Sequence, residues 1–309
     1  YNYQTGEILC AVTSPSYDPD NIPDIAGDTT GAYDGVYLNR FFDAAYTPGS
    51  IFKLVTTACA LENLPDAQSL TFTCTGETII GGQKIVCMGT HGTISMAQAL
   101  AHSCNVYYGE LAAKLGADAL QKTVDALGLT GALACDGYTA RSTVDLSDAD
   151  EGSVAWAGIG QYTDQITAVQ FLRYMGVIAN GGAAAEPYLM QKISRAGQTV
   201  YEAQTASTGQ LLSEQTAAAL GTMMRSAVVN QYGAWQFGSL TVCGKTGTAE
   251  RENGPSDAMF AGFVQDAAYP LAFVVFVEQG GSGSQIAVPV AAKVLEACKT
   301  LLDTPNPNE

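Results

Sequence analysis

The segment Ser50 to Glu62, SIFKLVTTACALE, is long enough for a helix and apolar around most of its circumference. A helix of that kind is hydrophobic on every side, so it has to run through the middle of a core. Pro48-Gly49 just before it marks its start. Lys53 falls inside the run, and the fold must either bury its amine or let it snorkel to water. There is material to wrap such a helix: 309 residues, 47% hydrophobic and only 14% charged. That suits one bilobed domain or two small ones and excludes a peptide hormone, a disordered tail and a coiled coil.

Around the central helix the pattern changes along the chain. Gly6 to Ser14 reads as a strand after a turn at Thr5-Gly6, and Pro15 to Gly35 as a surface loop rich in Pro, Asp and Gly. Residues 70–88 read as a hairpin about Gly81-Gly82. Helical patterns follow from Ser95 to about Gly181, with stops at Gly116, Gly128 and Gly181-Gly182. The last third carries a helix from about Ser213 to Val229 and strand-like runs at Leu240–Thr246, Ala258–Val264 and Leu271–Glu278. A closing helix spans roughly Val288 to Leu302. The gaps between those three strands are too short for helical crossovers, so they should pair antiparallel as a meander. The expected fold class is α/β (α+β): an antiparallel sheet flanked by helices, with an all-helical lobe inserted. The α/β lobe takes about 1–70 and 213–309 and the helical lobe about 90–212. The tail DTPNPNE is expected to fray.

Charge and residue counts narrow the function. A formal charge of −16 repels polyanions, so nucleic acid is excluded as a partner. His91 and His102 are the only histidines, too few for a three-histidine metal site, and both read as structural. Eight cysteines, at 10, 59, 74, 87, 104, 135, 243 and 298, form no C-x-x-C pair, so no metal is expected. Cys59, Cys243 and Cys298 lie in apolar runs and read as buried thiols. About the Gly81-Gly82 turn Cys87 falls opposite Gly76, so a Cys74–Cys87 bridge needs a bulge or offset, and Cys104 is the competing partner. No stretch has the length of a membrane span, and the opening YNYQTGEILC has neither a basic region nor an apolar run of signal-peptide type.

Three short motifs carry chemistry. Ser50 and Lys53 stand three residues apart at the start of the buried helix, so both project from one face. A lysine stripped of water moves toward the neutral amine and can take a serine proton. Ser103-Cys104-Asn105 falls between two helical patterns, where a hydroxyl and a carboxamide can face a cleft. Lys245-Thr246-Gly247-Thr248 ends a strand, where glycine lets another backbone approach and the flanking side chains can hold a carboxylate. Taken alone, each motif reads as a helix cap, a snorkelling lysine or a strand end. In random order this composition yields on the order of 0.003 sets of S-x-x-K, S-x-N and K-T-G in that sequence order.

The ordered set resembles the penicillin-binding protein transpeptidases and serine β-lactamases, a superfamily that acylates an active-site serine. The resemblance runs from TGEILCAVTSPSYDP and YTPGSIFK through HGTISMAQALAHSCN and CGKTGTAE to AMFAGFV and YPLAFVVFVE. It is nearest to the transpeptidase domain of class B, high-molecular-mass penicillin-binding proteins. One departure is GIGQYTDQITAVQ, where that group often has T-P-L-Q and this chain has Thr167-Ala168-Val169-Gln170. The resemblance implies Ser50 as nucleophile, Lys53 as its base and Ser103 as proton relay. It implies Asn105 on the substrate amide, Lys245 in electrostatic support, and Thr246 and Thr248 on the substrate carboxylate, with Gly247 between them. The N–H groups of Ser50 and Thr248 would form the oxyanion hole. A D-Ala-D-Ala stem peptide would lie along the Lys245 strand, a β-lactam would take the same place as a covalent inhibitor, and transfer to a neighbouring stem's amine would cross-link peptidoglycan. No cofactor is implied. The family usually adds a membrane anchor and a pedestal domain, so the chain is expected to be a soluble catalytic fragment from the extracytoplasmic face of a bacterial membrane. Division or elongation complex proteins are the further partners so implied.

Competing functions share or lack parts of this set. A class A β-lactamase uses an E-x-x-L-N glutamate to position water; Glu151 in SDADEG is the nearest candidate and lacks the pattern, so slow deacylation is expected. A D,D-carboxypeptidase differs only in the acceptor, and a β-lactam sensor only in turnover. From another class, GSLTVCGKTG resembles a P-loop, but Ser239 stands where its first glycine should be and no metal-binding Asp follows a strand. A Ser-His-Asp triad built on Ser103 and His102 lacks both G-x-S-x-G and an acid.

Overall fold

A computed structural model describes residues 1–251 and 253–304, so most of the tail expected to fray lies outside the described residues. The central helix is α1 (Lys53–Asn63), entered through a 3₁₀ turn, Gly49–Phe52. From Ile51 to Ala60 every residue is buried, which bears out its central position. Around it stand α2 (Met96–His102), α3 (Asn105–Leu115), α4 (Ala117–Ala126), α5 (Glu151–Gly158), α6 (Ala168–Ala179), α7 (Glu214–Ala227) and α8 (Val288–Asp303). No helix among the described residues is long and apolar enough to cross a membrane.

Two small antiparallel pairs precede α2. The Gly81-Gly82 turn joins β2 (Glu77–Ile80) to β3 (Gln83–Val86), whereas β1 (Thr71–Cys74) pairs with β4 (Gly92–Ser95). The single hairpin expected over 70–88 is therefore confined to 77–86. Cys87 donates its N–H to the carbonyl of Gly76 (2.8 Å), the opposition expected from the turn. An exposed hairpin of Lys192–Arg195 with Gln198–Glu202 interrupts the helical region, unannounced by the apolar pattern because every one of its strand residues faces water.

The main sheet is the expected meander: β5 (Val242–Ala249), β6 (Asp257–Val264) and β7 (Ala272–Val277), antiparallel, with Lys245 opposite Ala261 and Ala261 opposite Val274. Along β6 the residues alternate between two cores. Met259, Ala261 and Phe263 join the core that contains α1 and α6; Ala258, Phe260 and Val264 join a second core under α8. Helices on both faces explain why all eight residues of β6 are buried and why its sequence is apolar without interruption from Ala258 to Val264.

The strand expected over Gly6–Ser14 does not form. Tyr1 to Tyr3 dock on the end of β7, the terminal ammonium donating to Ala272 O at 2.8 Å, and only single bridges follow, Asn2 with Leu271 and Glu7 with Tyr188. Leu9 to Val12 then run beside β7 across a cavity of about 320 Å³ lined by Cys10, Phe273, Val275 and Val294, too far off to close a ladder. A short apolar run after a turn cannot by itself report whether a sheet edge lies within hydrogen-bonding reach.

α3 and α5 pack closely enough that a Cβ built on Gly158 would lie 2.2 Å from Cβ of Ala112, while Gly158 O accepts the Thr56 hydroxyl of α1 at 2.7 Å. Gly158→Ala is expected to cost about 1–3 kcal/mol by overpacking. Urea unfolding monitored by circular dichroism checks this; an unchanged midpoint would mean that the two helices can separate freely.

Candidate active site

The sequence places Ser50 in a 3₁₀ turn rather than an α-turn, and there side chains at i and i+3 eclipse one another. Lys53 Nζ accordingly lies 3.0 Å from Ser50 Oγ. Ser50 caps nothing with its side chain, so the cap reading of this motif is excluded. Gly49 makes the turn possible: its φ is +52°, and a Cβ there would meet Thr248 O at 2.7 Å.

The second motif is the junction expected between two helices. Ser103 ends α2 in the left-handed region (φ 55°, ψ 41°), and Cys104 caps α3, its sulfur accepting the Tyr107 N–H at 3.4 Å. A non-glycine residue there is strained by roughly 1–3 kcal/mol. The twist directs the Ser103 carbonyl to Lys53 Nζ at 2.8 Å, with Ser103 Oγ at 3.2 Å. Asn105 completes the ring: Oδ1 accepts from Lys53 at 2.7 Å and Nδ2 donates to Val86 O at 2.9 Å, which fixes the amide's orientation. One Nδ2 proton is left over.

The third motif lies on β5, an edge strand whose other side is unpaired. Lys245 shares its face with Ala261, toward α1, and its Nζ reaches Ser103 Oγ at 3.0 Å, Thr246 O at 2.8 Å and the Tyr232 hydroxyl at 3.3 Å. Thr248 is exposed and Thr246 partly so. Gly247 lets the strand touch the serine turn: a Cβ there would lie 3.0 Å from Ile51 and 3.2 Å from Pro48 O. Because Lys245 and Thr246 sit inside a strand with no helix following, the phosphate-cradle reading of GSLTVCGKTG is excluded.

Both amines are wholly buried. Burial pushes Lys53 well below the usual lysine range, and the neighbouring Lys245 pushes it further. Burial alone brings Lys245 down to about 7. A neutral Lys53 has two protons and one lone pair. The two pure acceptors around it, Ser103 O and Asn105 Oδ1, take the protons and leave the lone pair facing the hydroxyls. Among the described residues no carboxylate hydrogen-bonds to Ser50, Lys53, Ser103 or Lys245. Glu151 stands at the exposed start of α5, and no hydrogen bond links it to these groups.

All eight residues singled out in the sequence thus belong to three adjoining segments. Sequence reasoning missed the two aromatic walls. Tyr108 lies under Lys53, with Nζ 5.7 Å from its ring centre, and Tyr232 under Lys245 at 5.9 Å. Tyr108 lies in the first turn of α3 and Tyr232 ends a π-helical turn after α7, and neither is among the residues of the three motifs. The T-P-L-Q departure is harmless to structure. Thr167 still caps α6 by accepting the Gln170 N–H at 3.4 Å, and Ala168 follows where proline would only have fixed φ. Next to the site, Cys74, Cys87, His91 and Cys104 bring four metal-ligating atoms within 4.8 Å of one another, contrary to the expectation of no metal-binding group. All eight cysteines are free thiols, so the Cys74–Cys87 bridge is not formed, and Cys298 is half-buried rather than buried.

Comparison with known proteins agrees with this arrangement. The family model of the penicillin binding protein transpeptidase domain matches residues 1–296. The peptidoglycan D,D-transpeptidase PbpA of Mycolicibacterium smegmatis is 31% identical over an alignment of 332 positions, covering 95% of this chain and 65% of that relative's length. Penicillin-binding protein A of M. tuberculosis, solved as its ceftriaxone acyl-enzyme complex, superposes with a TM-score of 0.85 at 29% identity, covering 95% of this chain and 72% of that one. The D,D-transpeptidase domain of a peptidoglycan glycosyltransferase from Eggerthella lenta superposes with a TM-score of 0.88 at 27% identity, covering 97% and 76%. With a matched model over almost its whole length and all three motifs on one cleft, the chain belongs to the penicillin-binding protein transpeptidase domain family.

Proposed function

We propose that the chain is the catalytic domain of a peptidoglycan D,D-transpeptidase working on the extracytoplasmic face of a bacterial membrane. The observation that carries the reading is the buried Lys53 amine, 3.0 Å from Ser50 Oγ and held by acceptors that leave its lone pair free. The relatives' names support the same chemistry.

In this reading Ser50 Oγ attacks the carbonyl of the penultimate D-Ala while its proton moves to Lys53 Nζ. The N–H groups of Ser50 and Thr248 hold the oxyanion. The C–N bond then breaks, and the leaving D-Ala nitrogen takes the proton from Lys53 through Ser103 Oγ, which touches both lysines. The stem peptide lies along the open edge of β5 as an added strand, with the spare Nδ2 proton of Asn105 on its amide carbonyl. Lys245, Thr246 and Thr248 receive the terminal carboxylate, and Gly247 keeps that strand close to the serine. An acceptor amine from a second stem attacks the ester; the C–O bond breaks, a peptide bond forms and Ser50 regains its proton. A β-lactam follows the first half of this path, and its acyl-enzyme persists because among the described residues no carboxylate hydrogen-bonds to the reacting groups to activate water. Ser50, Lys53 and the β5 residues come from 1–70 and 213–309, and Ser103 and Asn105 from 90–212, so the reacting groups meet where the two expected lobes adjoin, which supports the division into an α/β lobe and a helical lobe.

Penicillin treatment is expected to add one drug mass to the protein, on the Ser50 peptide, and Ser50→Ala to remove the adduct. Labelling of Ser50→Ala at the wild-type rate would overturn the assignment. Given a D-Ala-D-Ala peptide and an amine acceptor, the enzyme should yield the amide as its main product. Free acid alone would make it a carboxypeptidase, and an acyl-enzyme without turnover a sensor.

The two lysines set opposite pH limbs. Lys53 acts only when neutral, so acylation rises with pH through its depressed value. Lys245 holds a carboxylate only when charged, so the second-order constant for benzylpenicillin should fall above about 7. The fall should approach about tenfold per pH unit and be absent for a penicillin ester. A flat profile from pH 6 to 9 for both compounds would sink these roles.

A further inference from the structure

We propose that Cys74, Cys87 and Cys104 Sγ, with His91 Nδ1, form a tetrahedral site for one Zn²⁺ ion beside the second motif. The four residues come from separate places: the end of β1, the residue after β3, the loop before β4 and the cap of α3. Yet their ligating atoms all lie within 4.8 Å of one another. Cys87 Sγ is 3.8 Å from Cys104 Sγ and 3.6 Å from His91 Nδ1. A tetrahedron with Zn–S of about 2.3 Å and Zn–N of about 2.0 Å has edges of about 3.8 Å between sulfurs and about 3.5 Å between sulfur and nitrogen. These two separations match those edges to about 0.1 Å.

The chemistry and the surroundings agree with the geometry. Three thiolates and an imidazole in a four-coordinate arrangement select zinc over hard cations such as Mg²⁺ or Ca²⁺. A disulfide would satisfy only two of the sulfurs, pulling them to about 2.0 Å and leaving the third thiol and the imidazole facing it. Cys74 and Cys104 are almost wholly buried and Cys87 is 9% exposed, so the ligands are shielded from exchange, while His91 is half-buried and gives the ion an entry side. Cys104 Sγ already accepts the Tyr107 N–H at 3.4 Å, the kind of outer bond that steadies a metal thiolate. On binding, each of the three thiols releases one proton, including the one Cys74 now donates to Gly89 O, and the neutral imidazole supplies its lone pair.

The ion has structural work to do here. β1–β4 form two separate two-stranded sheets, each too small to be stable alone, and they expose Ile79, Val86 and Met88. A metal held by β1, by the residue after β3, by the β4 loop and by α3 would tie both pairs to the helix whose cap stands between Ser103 and Asn105. Zinc thereby positions these two residues without touching substrate. This inference rests on the cysteine–histidine geometry alone and survives even if the acyl-transfer reading fails.

The test uses the chain purified without a metal-affinity tag, supplied with Zn²⁺ and desalted. Elemental analysis should give about one zinc per chain, and a chelator should release it, expose three further thiols to alkylation and lower the melting temperature. Cys74→Ser, remote from the reacting groups, should bind zinc at least about tenfold more weakly, whereas Cys10→Ser, on the surface, should keep it. Should Cys74→Ser fail to fold, cobalt(II) exchanged into the wild type should show a tetrahedral visible spectrum with thiolate-to-metal charge transfer. Zinc at trace level after loading, a Cys87–Cys104 disulfide in non-reducing peptide mapping, an octahedral cobalt spectrum, or undiminished zinc binding by Cys74→Ser would each overturn the proposal.

Discussion

A primary amine in a core, with no carboxylate bonded to it among the described residues, is the constraint on which the rest of this structure turns. Desolvation makes the ammonium form of Lys53 costly, and none of its hydrogen-bond partners carries a negative charge to offset that cost. The surrounding fold can be read as what it takes to keep the amine neutral yet well bonded. α1 must be wrapped on all sides, a carbonyl must be turned inward at a strained Ser103, and an amide must be locked by Val86 so that its oxygen faces the amine. The same groups that accept from Lys53 also determine where its lone pair points, so burial and reactivity have one cause.

The sheet contributes by being closed on two faces and open along the edge of β5. Helices cover both sides of β6, which makes the meander rigid, and the resulting two-sided core explains how a strand end as polar as Lys245-Thr246-Gly247-Thr248 is held in register against Ala258–Ala261. Glycines then set the gap between that edge and the serine. Gly49, Gly160 and Gly247 all stand where a Cβ would strike backbone or side-chain atoms of the turn or the strand, and Gly49 N–H donates to Gly160 O at 2.9 Å. Ser50 thus sits on backbone contacts rather than on side-chain packing, and among the described residues its hydroxyl has the amine as its partner.

What was legible in the sequence was whatever depends on near neighbours. Ser50 with Lys53, and Ser103 with Asn105, are each held by one turn of chain, so their spacing carries their geometry. The meander was legible because short gaps leave antiparallel pairing as the only connection. Contacts that the chain reaches only by folding left no such trace. Tyr232 meets Lys245 through a π-helical turn, and Cys74 meets Cys104 through two strand pairs that the sequence merges into one hairpin. The failed strand at 6–14 teaches the converse: a short apolar run after a turn was present, but the outer edge of β7 lies across a cavity, and a ladder needs both.

The two lysines finally have to be considered as a pair, because two ammonium groups that share Ser103 Oγ cannot both be charged cheaply in one dry cleft. Lys245 has the milder burial shift, so the single proton available near neutrality belongs on Lys245 and the free lone pair on Lys53. In the proposed reaction the arriving substrate brings a carboxylate to Lys245 and strengthens that division. It holds the proton on Lys245, whose charge in turn disfavours protonation of Lys53. A stem peptide docked along β5 would therefore sharpen the base that activates Ser50 against it, and a ligand lacking the carboxylate would leave the proton shared. Substrate recognition and nucleophile activation would then be one electrostatic event, transmitted through a serine hydroxyl placed between two amines.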